Sequence, residues 1–174
     1  ELKLIFNRFE DQKFFEQFNE KVASAEVKKK NYRPIFLQLL EQINDDSIQL
    51  LKSRGHPPFT VVLVGEGAID GGGPAREIFC TLIIQMMNEH LGVFTFNPNR
   101  RHKNKDTNRE DLIPNTIIDL SAEFNDEFAS LLHKRFVFSG ALMACCIVSS
   151  LPQPMKLTSM IWEYLTNGTV SIQS

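Results

Sequence analysis

Tyrosine and tryptophan are nearly missing from this chain. Its 174 residues hold two of the first and one of the second, against fourteen phenylalanines, so the aromatic content is placed in core-filling roles. Cysteine is scarce as well. Cys80, Cys145 and Cys146 are odd in number and two of them are adjacent, which excludes a disulfide framework and points to a reducing, intracellular compartment, cytoplasmic or nuclear. Long apolar runs are absent. The longest, Phe136 to Val148, covers 13 residues and is interrupted by Ser139 and Gly140, which reads as too short to cross a bilayer. The opening stretch ELKLIFNRFEDQKFF carries acidic residues early and has no uninterrupted apolar segment, so it does not read as a secretory signal.

An excess of charge of one sign is also lacking. Nineteen basic residues against twenty-one acidic ones leave a formal net charge of -2, with no pull toward nucleic acid or an anionic membrane. Two short basic segments, Lys28 to Lys30 and the loop Asn97 to Asp111, are read as a solvated linker and a surface loop rather than as nucleic-acid contacts. Metal spacing is missing too: His56, His90, His102 and His133 are scattered, with no Cys-x-x-Cys or His-x-x-x-His pair. There is no internal repeat. The chain opens without Met and stops just after a turn, and is expected to be a segment of a longer protein.

What is present is 43% hydrophobic and 23% charged residues, the balance of a globular domain or one large piece of one. The chain is organised around Thr60 to Phe96. A β-branched run, Val61 to Val64, ends at Gly65. A turn with Gly67, Gly71, Gly72 and Gly73 leads to Pro74, which suits the first turn of a helix because its missing N–H is not needed there. The apolar pairs Ile78/Phe79, Leu82/Ile83 and Met86/Met87, then Leu91, form one helical stripe, with Gly92 expected to end the helix and Val93 to Phe96 to be extended.

On either side the spacing predicts more helix than strand. Phe9 to Val22 is amphipathic, with Phe14, Phe15, Phe18 and Val22 on one face. Tyr32 to Leu51 reads as two consecutive helices broken near Asn44 to Ser47, followed by a loop, Ser53 to Pro58, and a strand at Phe59 to Val64. A second long helix is expected from Ser121 into the 140s, apolar nearly all round from Phe136 to Val148 and therefore central to the core, ended by Leu151 to Pro154. Thr158 to Thr166 is a short helix carrying Ile161, Trp162 and Leu165. Asn167-Gly168 marks a turn before an alternating strand, Thr169 to Ile172. The fold class is thus α+β, mainly helical, with a few short strands.

The glycine turn is the one candidate for chemistry. Gly65-x-Gly67-x-x-x-Gly71 between a strand and a helix superficially matches a dinucleotide-binding turn, but Glu66 and Asp70 would set carboxylates beside a pyrophosphate and no P-loop lysine follows. The alternative is architectural: Asp70 accepts backbone N–H bonds at the helix start and Arg76 neutralises the local acid. The three thiols lie on apolar faces, where a thiol is inert. No catalytic, cofactor-binding or metal-binding residue is assigned.

The segment VGEGAIDGGGPAREIF, Val64 to Phe79, resembles the signature near the start of HECT-type ubiquitin ligase domains. The matching positions are Gly65, Glu66, Ile69, Asp70, Gly72, Gly73, Arg76, Glu77 and Phe79. Glu66-Gly67-Ala68-Ile69-Asp70 followed by Gly-Gly-Pro is similar to the divergent subgroup that includes the G2/M-phase-specific ubiquitin ligase. Downstream, Phe94, the helix Phe136 to Val148, Pro152, Pro154, Leu157 and Trp162 to Gly168 are similar in order to later parts of the family's domain. The family's Gly-Arg in the long helix is Gly140-Ala141 here. The likeness runs from Tyr32 to Gly168. It implies the large subdomain of a HECT N-terminal lobe over residues 1–174, with the enzyme-docking subdomain and the catalytic lobe having no counterpart in it. It further implies a parent ubiquitin transferase, with a ubiquitin-conjugating enzyme and ubiquitin as partners of the complete domain. Gly65, Glu66, Asp70, Gly72, Gly73, Arg76 and Glu77 are then structural residues of the motif. The alternatives are a degenerate HECT-like interaction module and, further off, a nucleotide-binding enzyme using the Gly65–Gly73 turn.

Overall fold

The computed structural model describes residues 2–11, 33–51, 59–67, 71–88, 91–97, 112–115 and 126–169. It mixes helix and strand, in line with the α+β reading. The chain divides into two compact units, residues 1–85 with 133–153 and residues 86–132 with 154–174.

The first unit is built on two parallel strands, β1 (Leu2–Phe6) and β2 (Phe59–Leu63), in register from Leu2 beside Phe59 to Phe6 beside Leu63. Both strands alternate. Leu4 and Phe6, with Phe59, Val61 and Leu63, are buried, while Lys3 and Ile5 are exposed. β1 has the alternation of a half-buried strand, yet it was legible in the sequence only as an opening stretch that is not a signal. In this register Phe6 accepts a bond from the Val64 N–H, so the even residues of β1 face β2 and the odd ones face away.

That outward edge is covered by side chains of α1 (Ile35–Gln42). Gln42 accepts from the Ile5 N–H at 2.8 Å and donates to the Ile5 carbonyl at 2.6 Å. Four residues earlier, Gln38 does the same for Asn7, at 2.7 and 2.9 Å. The i, i+4 spacing of the helix thereby matches the i, i+2 spacing of the strand edge.

α1 and α2 (Asp45–Leu51) are the two helices expected before the strand. The break falls at Ile43, which is extended, and at Asn44, whose side chain accepts from the Ser47 N–H at 2.9 Å. Ile35, Phe36, Leu39, Leu40 and Ile43 are buried as the stripe predicts. The expected helix at Phe9–Val22 and the loop at Ser53–Pro58 lie outside the described residues, except that residues 8–11 are helical.

α3 (Gly73–Met86) is the central helix, with Ile78, Phe79, Leu82 and Ile83 buried. It stops at Met86 rather than running to Gly92. The apolar stripe is interrupted by Asn88, Glu89 and His90, and the Leu91 N–H instead closes a separate turn on the Asn88 carbonyl. α4 (Asp126–Val148) is the second long helix; its expected start at Ser121 lies outside the described residues. In the first unit it buries Phe138, Ala141, Leu142, Cys145 and Cys146. Its apolar residues are not all in the core, however: Ile147 is 82% exposed, and Val137 and Gly140 also face outward. Composition alone could not show this, because the exposed positions are apolar too. Taken back to Ser130, the apolar part of the helix covers 19 residues, Ser130 to Val148. It is therefore long and apolar enough to cross a membrane by length and composition, where the 13-residue stretch read as too short.

Phenylalanines join these elements. Phe36 of α1 and Phe138 of α4 lie with ring centroids 5.3 Å apart and planes at 56°, and Phe59 of β2 lies 6.4 Å from Phe79 of α3. Such tilted pairs add about 0.5–1.5 kcal/mol to the burial of the rings. α4 ends in a Schellman motif: Leu151 N–H bonds to the Cys146 carbonyl, Ser150 N–H bonds to that of Ile147, and Ser150 takes a left-handed φ of 51°.

In the second unit β3 (Phe94–Phe96) pairs antiparallel with β4 (Leu112–Pro114), Thr95 lying opposite Ile113. β4 follows the polar loop directly and has only three residues, too short for a periodic signal. Leu112 also bridges to the segment around Leu157, accepting from the Thr158 N–H at 3.1 Å and donating to the Lys156 carbonyl at 2.7 Å. Leu91, Val93, Phe94, Leu112 and Leu157 are buried. The last described helix, α5 (Ser159–Asn167), exposes Met160, Trp162, Tyr164 and Leu165. Gly168 ends that helix in the left-handed region, φ 71°, so Asn167-Gly168 acts as a helix stop. The expected strand after it lies outside the described residues beyond Thr169.

Candidate functional site

The glycine turn joins β2 to α3 through backbone conformations that side chains resist. Gly65 has φ 80°, Gly67 φ 60° and Gly72 φ 96°, and at each of them a Cβ would strain the chain. The Glu66 N–H bonds to the Leu63 carbonyl at 3.4 Å, and the Arg76 N–H to that of Gly72 at 3.2 Å. Gly71 and Gly73 have no such φ, and a Cβ on either would meet nothing within 4 Å. Ala68, Ile69 and Asp70 lie outside the described residues, so the expected cap by Asp70 does too.

Glu66, the turn carboxylate that lies among the described residues, meets a cation distant in sequence. Arg8, two residues past the end of β1, places Nε 3.3 Å from Glu66. Its other two nitrogens grip Glu77 of α3 in a fork, Nη1 to Oε1 at 2.7 Å and Nη2 to Oε2 at 3.1 Å. Arg76 is exposed and makes no ion pair among the described residues. The placement of Arg8 follows from the β1–β2 register: Phe6 lies beside Leu63, so the chain leaving β1 is brought level with the turn. Phe9 completes the clamp, its ring 3.6 Å from where a Gly65 Cβ would stand. Arg8 and Phe9 are the residues that reading from sequence missed. The signal for them was the alternation of Leu2, Leu4 and Phe6, which identifies β1 and hence its neighbour.

A second polar cluster lies at the start of α1, which has proline at its N-cap and so no side-chain cap of its own. Asp11 accepts from the Ile35 N–H at 3.0 Å, and Gln85 of α3 accepts from the Phe36 N–H at 2.8 Å while donating to Asp11. Burial pushes the Asp11 carboxyl above its ordinary range, and the bonds from Ile35 and Gln85 pull partly back.

The thiols are free. Cys145 and Cys146 are buried, whereas Cys80 is half-buried and not fully on the core side as expected. Gln153 donates to the Cys80 sulfur at 3.2 Å. Burial raises the Cys145 thiol, with its hydrogen bond to the Ser149 hydroxyl opposing the shift. Burial and the neighbouring Cys145 push Cys146 up to about 11, which leaves it a poor nucleophile at neutral pH. Among the described residues, no group of three or more His, Cys, Asp or Glu side chains could hold a metal ion. His133 is exposed; His56, His90 and His102 lie outside the described residues. No family model, curated protein or solved structure matches the chain.

The arrangement is therefore one of mutual fixing. A strand end, a turn and a helix start are tied by one guanidinium. A phosphate placed at this turn would meet Glu66 and Glu77 as well as Arg8.

Proposed function

We propose that this chain is the major, mainly helical part of a HECT-type N-terminal lobe and serves as scaffold for a ubiquitin transferase. The observation that carries the reading is the ordered resemblance from Val64 to Phe79. It begins just after β2 and covers a glycine turn with three left-handed glycines and the first half of α3, which gives its residues an architectural role. In the parent protein a cysteine thiolate outside these residues takes ubiquitin from a conjugating enzyme, and a substrate lysine amine then attacks the new thioester. The scaffold contributes by positioning the mobile parts of the domain, through proximity and orientation. Its partners, the conjugating enzyme and ubiquitin, are met through the complete domain, in the cytoplasm or nucleus.

The raised, buried thiols of Cys145 and Cys146 support a chain that is silent in the chemistry. The test is to incubate it with activating enzyme, conjugating enzyme, ubiquitin and ATP, and to look for a reducible adduct. None is expected on this chain. An adduct on Cys80, Cys145 or Cys146 contradicts the proposal.

A further inference from the structure

The outer edge of β1 is filled by two side-chain amides in the places where a neighbouring strand's peptide groups would sit. Each glutamine supplies both a donor and an acceptor to one residue, Gln42 to Ile5 and Gln38 to Asn7. A carboxamide is chemically a peptide group, and two of them spaced one helical turn apart reproduce what an added strand would present. We infer that Gln38 and Gln42 are a built-in edge guard, closing β1 against strand pairing with a second copy of this chain.

The two halves of the guard differ in strength. Gln38 is buried, and its amide also donates to the Arg33 carbonyl at 2.7 Å. Gln42 is exposed and is held otherwise by one bond to the Gln38 carbonyl at 3.1 Å. An unguarded edge strand is a template for another chain, and a row of unpaired N–H and C=O groups is what makes it so. Beyond Ile5 the edge continues to Lys3, an exposed charge of the kind that discourages edge pairing, and nothing among the described residues covers it. The vulnerable stretch is thus Lys3 to Ile5, and Gln42 is its gate. Ile5 adds to the hazard because its side chain is 52% exposed beside that edge.

The experiment compares the full chain with Gln42→Met, which keeps the length of the side chain and removes its hydrogen bonding. Gln42→Ala serves as a second replacement. At dilution where the variants are monomeric, residue-resolved hydrogen exchange should show the Ile5 amide exchanging roughly tenfold faster, the scale of one lost hydrogen bond, with the even amides Leu4 and Phe6 unchanged. Light scattering should show concentration-dependent dimers for both variants and none for the parent. Adding Lys3→Pro, which removes an outward donor without touching the β2 ladder, should restore the monomer. Folded variants that stay monomeric, or dimers indifferent to Lys3→Pro, overturn the inference.

Discussion

Arg8 holds Glu77 through two parallel hydrogen bonds of 2.7 and 3.1 Å, joining residues that lie 69 positions apart. With Glu66 on the same guanidinium, one side chain ties the chain after β1 to both ends of the glycine turn. The Glu77 side chain is 59% exposed, so solvent and salt screen most of the attraction. A double-mutant cycle of Arg8→Ala and Glu77→Gln should give a coupling of about 0.5–1 kcal/mol at low salt, near the upper end for exposed pairs because the contact is bidentate. Chemical denaturation at low and high salt checks it. A coupling that does not shrink in salt would contradict this electrostatic account.

The glycines of the turn should separate sharply on replacement by alanine. Gly72→Ala places a Cβ at φ 96° and should cost about 1–3 kcal/mol. Gly71→Ala and Gly73→Ala meet no neighbour and lose unfolded-state freedom, so they should be neutral or stabilising by up to about 1 kcal/mol. Melting temperatures of the three variants decide it. Equal losses at all three would mean that the φ values are not what fixes the turn.

How much of this was legible in the sequence depends on the range of the interaction. The break at Asn44, the buried faces of α1 and α3 and the strand before the turn follow from local spacing, and the structure contains them. The partner of Glu66 does not. It required the register of a parallel pair whose strands are more than fifty residues apart, so spacing around the turn could not point to Arg8. The end of α3 was misplaced because Leu91 continues the apolar pattern while its backbone belongs to a different turn. The exposure of Val137 and Ile147 was hidden for the converse reason, since apolar residues on the outer face of α4 look like core.

Ser150 occupies the left-handed position of the Schellman motif that ends α4, where glycine is favoured. Ser150→Gly should therefore raise stability by roughly 0.5–1 kcal/mol, the strain of a Cβ in that region less the added freedom of glycine when unfolded. Denaturant midpoints measure it. A loss of stability would show that the Ser150 side chain is worth more than the strain.

Asp11 gives the fold a pH dependence of defined sign. Burial raises its folded-state pKa above the unfolded value, so the folded state binds the extra proton. The associated stability is complete below the ordinary carboxylate range and is lost as pH rises through the elevated folded value. Asp11→Asn keeps an acceptor for the Ile35 N–H and removes the titration. Relative to that variant, the parent should lose stability on going from strongly acidic to neutral pH. A constant difference, or one of the opposite slope, would place the carboxylate in a better-solvated setting.

The central claim is that these residues are a silent scaffold within a ubiquitin-transferring protein. It is tested most directly on the gene product that contains them, charged by a conjugating enzyme loaded with labelled ubiquitin and resolved with and without reductant. The account predicts a reducible thioester that survives replacement of Cys80, Cys145 and Cys146 together by serine. Failure to form any thioester, or its loss in the triple replacement, would contradict it.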